Sequence, residues 1–377
     1  MVYQEDVMKI VHHFAGLDLD ESDILRRIMT GKKKNSDTFE QLKRKYFNNC
    51  KERGYTDELA MEVWRQIESF SGYSFCKAHS ASFAVESFQS LYLKTYYPLE
   101  FMTAVINNFG GFYNTELYVH EARMAGAKIE APCINNSIYL TSINGETIYI
   151  GLIHIAELER KVAFRIVAER SEHGDFRDLK DFINRVDVSR DQLEILIRIG
   201  AFRFTKMNKY ALMWEKNALY NPMVKHAHYA SLFEMEVEEY DLPILQEGPH
   251  DQAFDEIELL GFPLCSPFDL VAKKYKADIL EKDMTSAIGK YKTMIGYYVT
   301  RKHVTTVNGR HMNFGTWLDE EGKFFDTTHF PPSLAKYPFL GRGVYIMKGK
   351  IVEDFGFPSM EVSAMEKLPY VKDERWA

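Results

Sequence analysis

Apolar residues recur at helical spacing through the first third of the chain. Val7, Ile10, Val11 and Phe14, then Ile24, Leu25 and Ile28, predict two helices around a turn from Gly16 to Asp20, with Ser22 as cap of the second. Phe39, Leu42 and Tyr46, and after them Leu59, Val63, Ile67 and Phe70, predict two more, the first stopped at Gly54 and the second started at Thr56. A further apolar helical pattern settles in at Phe83 and stops before Pro98, because the residue ahead of a proline disfavours the helical region. Helix resumes from Thr103 to Met124. The period then changes: Tyr139, Ile143 and Ile148 to Ile150 predict a hairpin about Asn144 and Gly145. Helical pattern returns over 151–170, through Phe182, and over 193–202 with Gly200 in a turn. Residues 220–258 have little periodicity and predict a surface linker. From about Thr293 to Leu368 short alternating runs (Met294 to Val299, Phe314 to Leu318, Val344 to Met347) with turns at Asn308-Gly309 and Glu321-Gly322 predict a small barrel. The fold class is multidomain: mainly α, followed by a small antiparallel β-barrel, in four segments of 1–128, 129–218, 219–290 and 291–377.

Composition alters this picture little. With 377 residues, 46% apolar and 27% charged, the chain belongs with ordinary folded proteins rather than disordered ones. Its amino terminus lacks a basic region followed by an apolar core, and no run approaches the length of a membrane span, so the expectation is a cytoplasmic protein with no membrane partner. Cys50, Cys76, Cys133 and Cys265 lie far apart without a CxxC pair, which predicts neither a zinc ribbon nor a disulfide framework.

Charge is more informative when read locally. The net charge of −7 argues against a non-specific nucleic-acid binder, but residues 26–53 hold ten Lys or Arg against three Asp or Glu, while residues 234–258 hold ten acids and no Lys or Arg. Only the first of these stretches suits phosphate. Within it Arg26 and Arg27 are adjacent, so on a helix they diverge by about 100 degrees and cannot both enter one core. Exposed guanidinium forks ahead of Lys32 and Lys33 have the chemistry of a polyphosphate clamp, against the plainer alternative of a solvated basic face. Asp18-Leu19-Asp20 mimics a metal-holding carboxylate pair but lies in a polar turn before a helix cap, and reads as a turn.

Residues 70–102 carry the densest chemistry. A glycine turn at Ser71-Gly72-Tyr73 precedes Lys77, His79, Ser80 and Ser82, where free N–H groups and the helix dipole would favour an anion. The alternative is an ordinary N-cap at Ser80, a solvated Lys77 and a packing His79. The order of residues, Phe70-Ser71-Gly72-Tyr73-Ser74-Phe75-Cys76-Lys77-Ala78-His79-Ser80, then Lys94 and Tyr97-Pro98 to Phe101-Met102, resembles the fingers of the bacterial C-family replicative polymerase, the DNA polymerase III alpha subunit. Ser74 and Cys76 depart from the family's glycine and asparagine. Leu25-Arg26-Arg27-Ile28-Met29-Thr30-Gly31-Lys32-Lys33 is similar to the family's basic run, in which paired arginines hold the incoming nucleotide's triphosphate.

The resemblance assigns residues 1–128 to a fingers portion and 129–218 to a tandem helix-hairpin-helix region. It implies nucleotide binding by Arg26, Arg27, Lys77, His79 and Ser80, and DNA binding by Lys32, Lys33, Gly200, Arg301, Arg310 and Trp317. Phosphate is bound by such hairpins through N–H groups at glycine turns. The first hairpin has His154-Ile155-Ala156-Glu157-Leu158-Glu159 where the family has a glycine turn, and the second keeps Gly200 before Ala201-Phe202. The final segment resembles an OB-fold, which binds single strands by basic residues and aromatic platforms, with Lys302 and Phe314 as further candidates. Tyr229-Ala230-Ser231-Leu232-Phe233, within the acidic 219–290 segment, is similar to the family's sliding-clamp motif without its glutamine. Phosphoryl transfer needs carboxylates on two metal ions, and the resemblance puts those in a palm upstream of residue 1. No catalytic residue, metal ligand or bound cofactor is therefore expected in this chain, and Mg is expected in the palm. The implied partners are a primer-template, a deoxynucleoside triphosphate, the sliding clamp and a palm-bearing amino-terminal half. A non-catalytic DNA-binding or clamp-tethered scaffold is the alternative.

Overall fold

The computed structural model describes residues 3–30, 37–70, 76–219, 246–306 and 308–376, in two compact units that divide between Tyr96 and Tyr97. The division falls ahead of residue 128 because the helices after Tyr97 pack with the strands that follow them.

The first unit is helical: α1 (Gln4–Ala15), α2 (Leu19–Thr30), α3 (Asp37–Glu52), α4 (Asp57–Phe70) and α5 (Lys77–Tyr96). Val7, Val11, Leu25, Phe39, Leu42 and Tyr46 pack against Ala60, Trp64 and Ile67. Two sequence expectations change here. Asp18, not Ser22, caps α2: its carboxylate accepts from Glu21 N at 2.7 Å while Glu21 returns a bond to Asp18 N at 3.1 Å, a reciprocal capping box. Ser22 lies one turn inside, fully buried, donating to the Asp18 carbonyl. Leu59 is exposed, because Ala60, Trp64 and Ile67 form the buried stripe of α4 instead. In α5 no residue is buried at all, although Phe83, Phe88, Leu91 and Tyr96 are each more than half exposed.

The second unit opens with α6 (Pro98–Asn107) and α7 (Thr115–Met124), so the predicted continuous helix is broken by a turn at residues 108–114. Three short strands follow, β1 (Lys128–Glu130), β2 (Ser142–Asn144) and β3 (Thr147–Tyr149), and the β2–β3 pair is the hairpin expected at Asn144-Gly145. The hairpin region contains α8 (Arg160–His173), α9 (Leu179–Arg185), α10 (Arg190–Arg198) and α11 (Lys209–Leu219), around a core of Ile166, Phe176, Phe182, Leu193, Leu196 and Phe202. Asp178 and Ser189 cap α9 and α10 by accepting from Asp181 N and Gln192 N. The end of the supposed surface linker is helix α12 (Asp251–Leu259), with Asp251, Asp255 and Glu256 buried. Asp255 is held by cations from elsewhere in the unit, Asp251 accepts from the Tyr210 hydroxyl and Gly248 N, and Glu256 accepts from Gln252 and Leu264 N.

The last segment is a closed five-stranded barrel of β4 (Tyr291–Thr305), β5 (His311–Leu318), β6 (Phe324–His329), β7 (Val344–Asp354) and β8 (Phe357–Lys367), with α13 (Pro331–Lys336) between β6 and β7. The order β4-β5-β6-β8-β7 is antiparallel at every seam except β6–β8, where Thr327 and Thr328 pair in parallel with Met360 and Glu361. Such closure leaves no open sheet edge. Trp317 fills the interior. Space for it comes from Gly296 and Gly315, where a Cβ would lie 2.9 Å from the Trp317 Cβ and 2.8 Å from its Nε1.

Candidate nucleic-acid interface

In the first unit two of the residues nominated for an anion, Arg26 and Lys77, contact α1. Arg26 donates from Nε and Nη2 to Asp23 Oδ1, at 2.9 and 2.7 Å, and from Nη1 to Gln4 Oε1 at 2.9 Å. Arg27 reaches the other oxygen of the same carboxylate, at 2.7 Å. As the angular argument required, the two arginines do not share a core: their side chains are 24% and 72% exposed. The next residue of α1, Glu5, accepts from Lys77 N through both carboxylate oxygens, at 3.1 and 2.9 Å, and from Cys76 Sγ at 3.3 Å. The Lys77 ammonium lies over the Tyr3 ring at 5.9 Å. Thus Arg26, Arg27 and Lys77 are brought together by Gln4, Glu5 and Asp23, three residues that the sequence reading passed over.

The remaining nominees behave differently. Ser80 is not the N-cap of α5, since its N–H donates to the Cys76 carbonyl within the first turn, at 2.9 Å. His79 packs edge-on to Phe83 at 4.3 Å. Lys32, Lys33, the turn at Ser71-Gly72-Tyr73 and the clamp candidates Tyr229, Ala230, Ser231, Leu232 and Phe233 lie outside the described residues.

Both hairpin turns of the second unit use their N–H donors internally. In the first, Ala156 N donates to the Leu259 carbonyl at 2.7 Å and Glu159 N to Gln192 Oε1 at 2.7 Å, while Gln192 Nε2 donates back to the Glu157 carbonyl at 2.8 Å. Glu157 has φ +63°, the left-handed geometry a glycine would adopt without strain. In the second, Gly200 does adopt it, with φ +75°, but its N–H donates to the Ile197 carbonyl at 3.0 Å and Gln252 covers its open side. The role legible for Gly200 is conformational; the donor offered to phosphate is already bonded.

On the barrel, β4 and β5 present a mixed basic and aromatic surface. Lys302 pairs with Phe314 in register, and both are exposed, as are Arg301 and, beside the β4–β5 turn, Arg310. The Arg301 guanidinium covers the Phe339 ring at 5.3 Å, and Phe339 in turn stacks on Trp317 at 5.6 Å. Trp317 itself has to be removed from the DNA candidates. It is completely buried, and its Nε1 donates to Thr327 Oγ1 at 2.7 Å, so neither ring face is available to a base. Among the described residues no group of three or more His, Cys, Asp or Glu side chains is placed to hold a metal ion, and no helix is long and apolar enough to cross a membrane.

The chain thus joins a helical unit, a helix-hairpin-helix region and an OB-fold-type barrel in this order. Residues 1–54 match the family described as the bacterial DNA polymerase III alpha subunit finger domain, and residues 126–212 match the helix-hairpin-helix motif. The chain is 32% identical over 394 residues to DNA polymerase III subunit alpha of Escherichia coli, an alignment covering 98% of this chain and 33% of that protein. The same subunit of Aquifex aeolicus is 32% identical over 94% of this chain and 30% of its own length, and that of Treponema pallidum 30% identical over 88% and 30%. The chain spans about a third of the length of these relatives. Its similarity is to the carboxy-terminal part of DNA polymerase III alpha subunits, and it extends over most of the chain.

Proposed function

We propose that this chain supplies incoming-nucleotide binding and DNA binding to a template-directed DNA polymerase whose metal-holding carboxylates reside in an amino-terminal palm portion. The observation that carries this reading is the meeting of Arg26 and Lys77 at α1, with Arg27 on the same Asp23 carboxylate as Arg26; α1 and both arginines lie within the segment matched by the finger-domain family. Guanidinium forks and a helix N-terminus suit the triphosphate of a deoxynucleotide, and Mg would enter with that nucleotide and the palm. Lys302, Arg310, Arg301 and Phe314 form the part of the barrel that suits a single strand, by charge and by stacking. The uncovered apolar side chains of α5 support a protein partner, for which the palm portion is the natural occupant. Sliding-clamp tethering through Leu232 and Phe233 belongs to the same proposal.

The test is reconstitution of the chain with a separately expressed palm portion, followed by primer extension. Arg26→Ala and Arg27→Ala are each expected to raise the nucleotide KM and lower incorporation by one to two orders of magnitude, about 1.4 to 3 kcal/mol per lost charge-assisted contact. Unchanged kinetics in both variants would return the arginines to a solvated basic face. The chain alone is expected not to extend a primer, and chelator-sensitive incorporation by the pure chain would refute that.

A further inference from the structure

The groups just assigned to a triphosphate already hold anions supplied by the protein. Arg26 spends the Nε and Nη2 edge of its guanidinium, the edge that grips a phosphate in two-pronged fashion, on Asp23, and Arg27 holds the other oxygen of that carboxylate. Glu5 places both of its oxygens against the Lys77 N–H at the start of α5, where the helix dipole favours negative charge. Arg26 links the two carboxylates: its guanidinium bonds Asp23 and also Gln4 of α1, and its charge acts on Glu5 as well. Consistent with this, the Glu5 carboxyl is held below its ordinary range, first by the Lys77 N–H and in lesser part by the Arg26 charge. The Asp23 carboxyl is likewise lowered, first by its hydrogen bond from Arg26.

We propose that Glu5 and Asp23 are resident competitors at the nucleotide site: a nucleoside triphosphate binds by exchanging both carboxylates for phosphate oxygens. This rests on the reading of Arg26, Arg27 and Lys77 as the triphosphate site. The ion pairs are solvent-accessible and hence weak, so the exchange is open to a ligand rich in negative oxygen. It also sets specificity. A triphosphate carries enough phosphoryl groups to replace the carboxylate at the arginines and the one at Lys77 together, whereas a monophosphate replaces one and leaves the other facing it. The pair therefore discriminates against short phosphates, and keeps the arginines and the α5 terminus satisfied when no nucleotide is present.

The experiment is calorimetric titration of the whole chain with Mg-dATP, dAMP and tripolyphosphate at low ionic strength, in the native sequence and in Glu5→Gln, Asp23→Asn, the double variant, and Arg26→Ala. Removing one like charge next to the bound phosphate is expected to tighten Mg-dATP and tripolyphosphate about fivefold per substitution, from the Coulomb energy at contact in water. The gain for dAMP should exceed that for Mg-dATP, narrowing the ratio between them. Glu5→Asp and Asp23→Glu should return affinities toward the native values, and melting temperature should fall only slightly, since exposed helix-terminus and surface ion-pair contacts contribute little. If Glu5→Gln and Asp23→Asn weaken Mg-dATP or leave it as it was, while Arg26→Ala still abolishes binding, the carboxylates only position the cations and the competitor assignment falls. If Arg26→Ala binds as the native chain does, or if no form binds, the nucleotide reading falls and takes this inference with it.

Discussion

Asp255→Ala in the second unit should be among the most destabilising single changes available to this chain. Asp255 is 2% exposed and stands at the centre of three cations: Arg198 Nε at 2.7 Å, Lys209 Nζ at 2.6 Å and Arg375 Nη1 at 2.5 Å. Glu258 shares Arg198 and Arg375, and Asp373 shares Arg375, but neither reaches Lys209, whose side chain is only 8% exposed. Truncation would leave that ammonium buried without the carboxylate and remove one of the contacts that tie α10, α11 and the Arg375 segment to α12, the others running through Glu258 and Asp251. Breaking one side of a buried ion pair typically costs about 3–5 kcal/mol. For a unit of this size each kcal/mol moves the midpoint by roughly 2 °C, so the melting temperature should fall by about 6–10 °C. Differential scanning calorimetry of the whole chain would read this on the transition of the second unit. Asp255→Asn, which keeps the shape and one acceptor oxygen, should fall between the native chain and the alanine variant. Because the cluster is buried, added salt should change the deficit little. A fall under about 2 °C would mean that Glu258 and water take over the cations, and would place the cluster with weak surface pairs.

Trp317→Phe should leave single-strand affinity unchanged, since the ring is wholly interior, whereas Lys302→Ala and Arg310→Ala should each reduce the salt dependence of binding by about one unit of log–log slope if each meets a phosphate; fluorescence anisotropy across a salt series checks both. Glu157→Gly should be neutral to stabilising by up to about 1 kcal/mol in urea unfolding, because relief of left-handed strain at φ +63° outweighs or cancels the entropy of a freer unfolded chain; a loss above about 1 kcal/mol would contradict it. Acid should weaken the α12 cluster in a defined window. At Asp251 burial acts to raise the pKa but is outweighed by hydrogen bonds from Tyr210 and Gly248 and by the Lys209 and Arg375 charges, and Asp373 is lowered first by its bond from Arg375, so both sit below the ordinary 3.8. Their contribution is complete above that value and is lost as pH falls through the lower folded values, so urea midpoints followed downward from pH 5 should begin their steep decline only near or below about pH 4.

How far the fold could be read from the chain depended on whether its signals were local. Helices α1 to α4 follow from apolar spacing and from Gly16, Gly54 and Thr56, and the β2–β3 and β4–β5 turns follow from Asn-Gly pairs, because each rests on neighbours in sequence. The reading failed where a distant partner decided the outcome. Asp251, Asp255, Glu256 and Glu258 looked like part of a solvated acidic linker, since the cations that bind or flank them, Arg198, Lys209, Arg375 and Arg123, come from far along the chain. Trp317 looked like a stacking platform because a strand's alternation does not say which face closes inward; Gly296 and Gly315, which make its space, lie two strand positions or a whole strand away.

The same distinction governs the candidate site. The paired arginines stood out because adjacent guanidinium groups on one helix are unusual for a core, and the i, i+3 and i, i+4 spacing from Asp23 to Arg26 and Arg27 was also available locally. The partner of Lys77 was not, because Glu5 precedes it by seventy-two residues and meets its backbone N–H only through the packing of α1. A sequence shows where positive charge and free N–H groups accumulate; it does not show whether the fold has already neutralised them. At each hairpin turn, and again at the start of α5, the donors expected for phosphate are bonded within the protein: Ala156 to Leu259, Glu159 to Gln192, Gly200 to Ile197 and Lys77 to Glu5. The first three are neutral bonds that fix turns and helix packing, so opening them would disturb the core. The last is an exposed charge-assisted contact on a side chain that can rotate away. That physical difference, rather than the count of basic residues, singles out the α1–α2–α5 locus as the place in the described chain best suited to exchange its own anion for a ligand's.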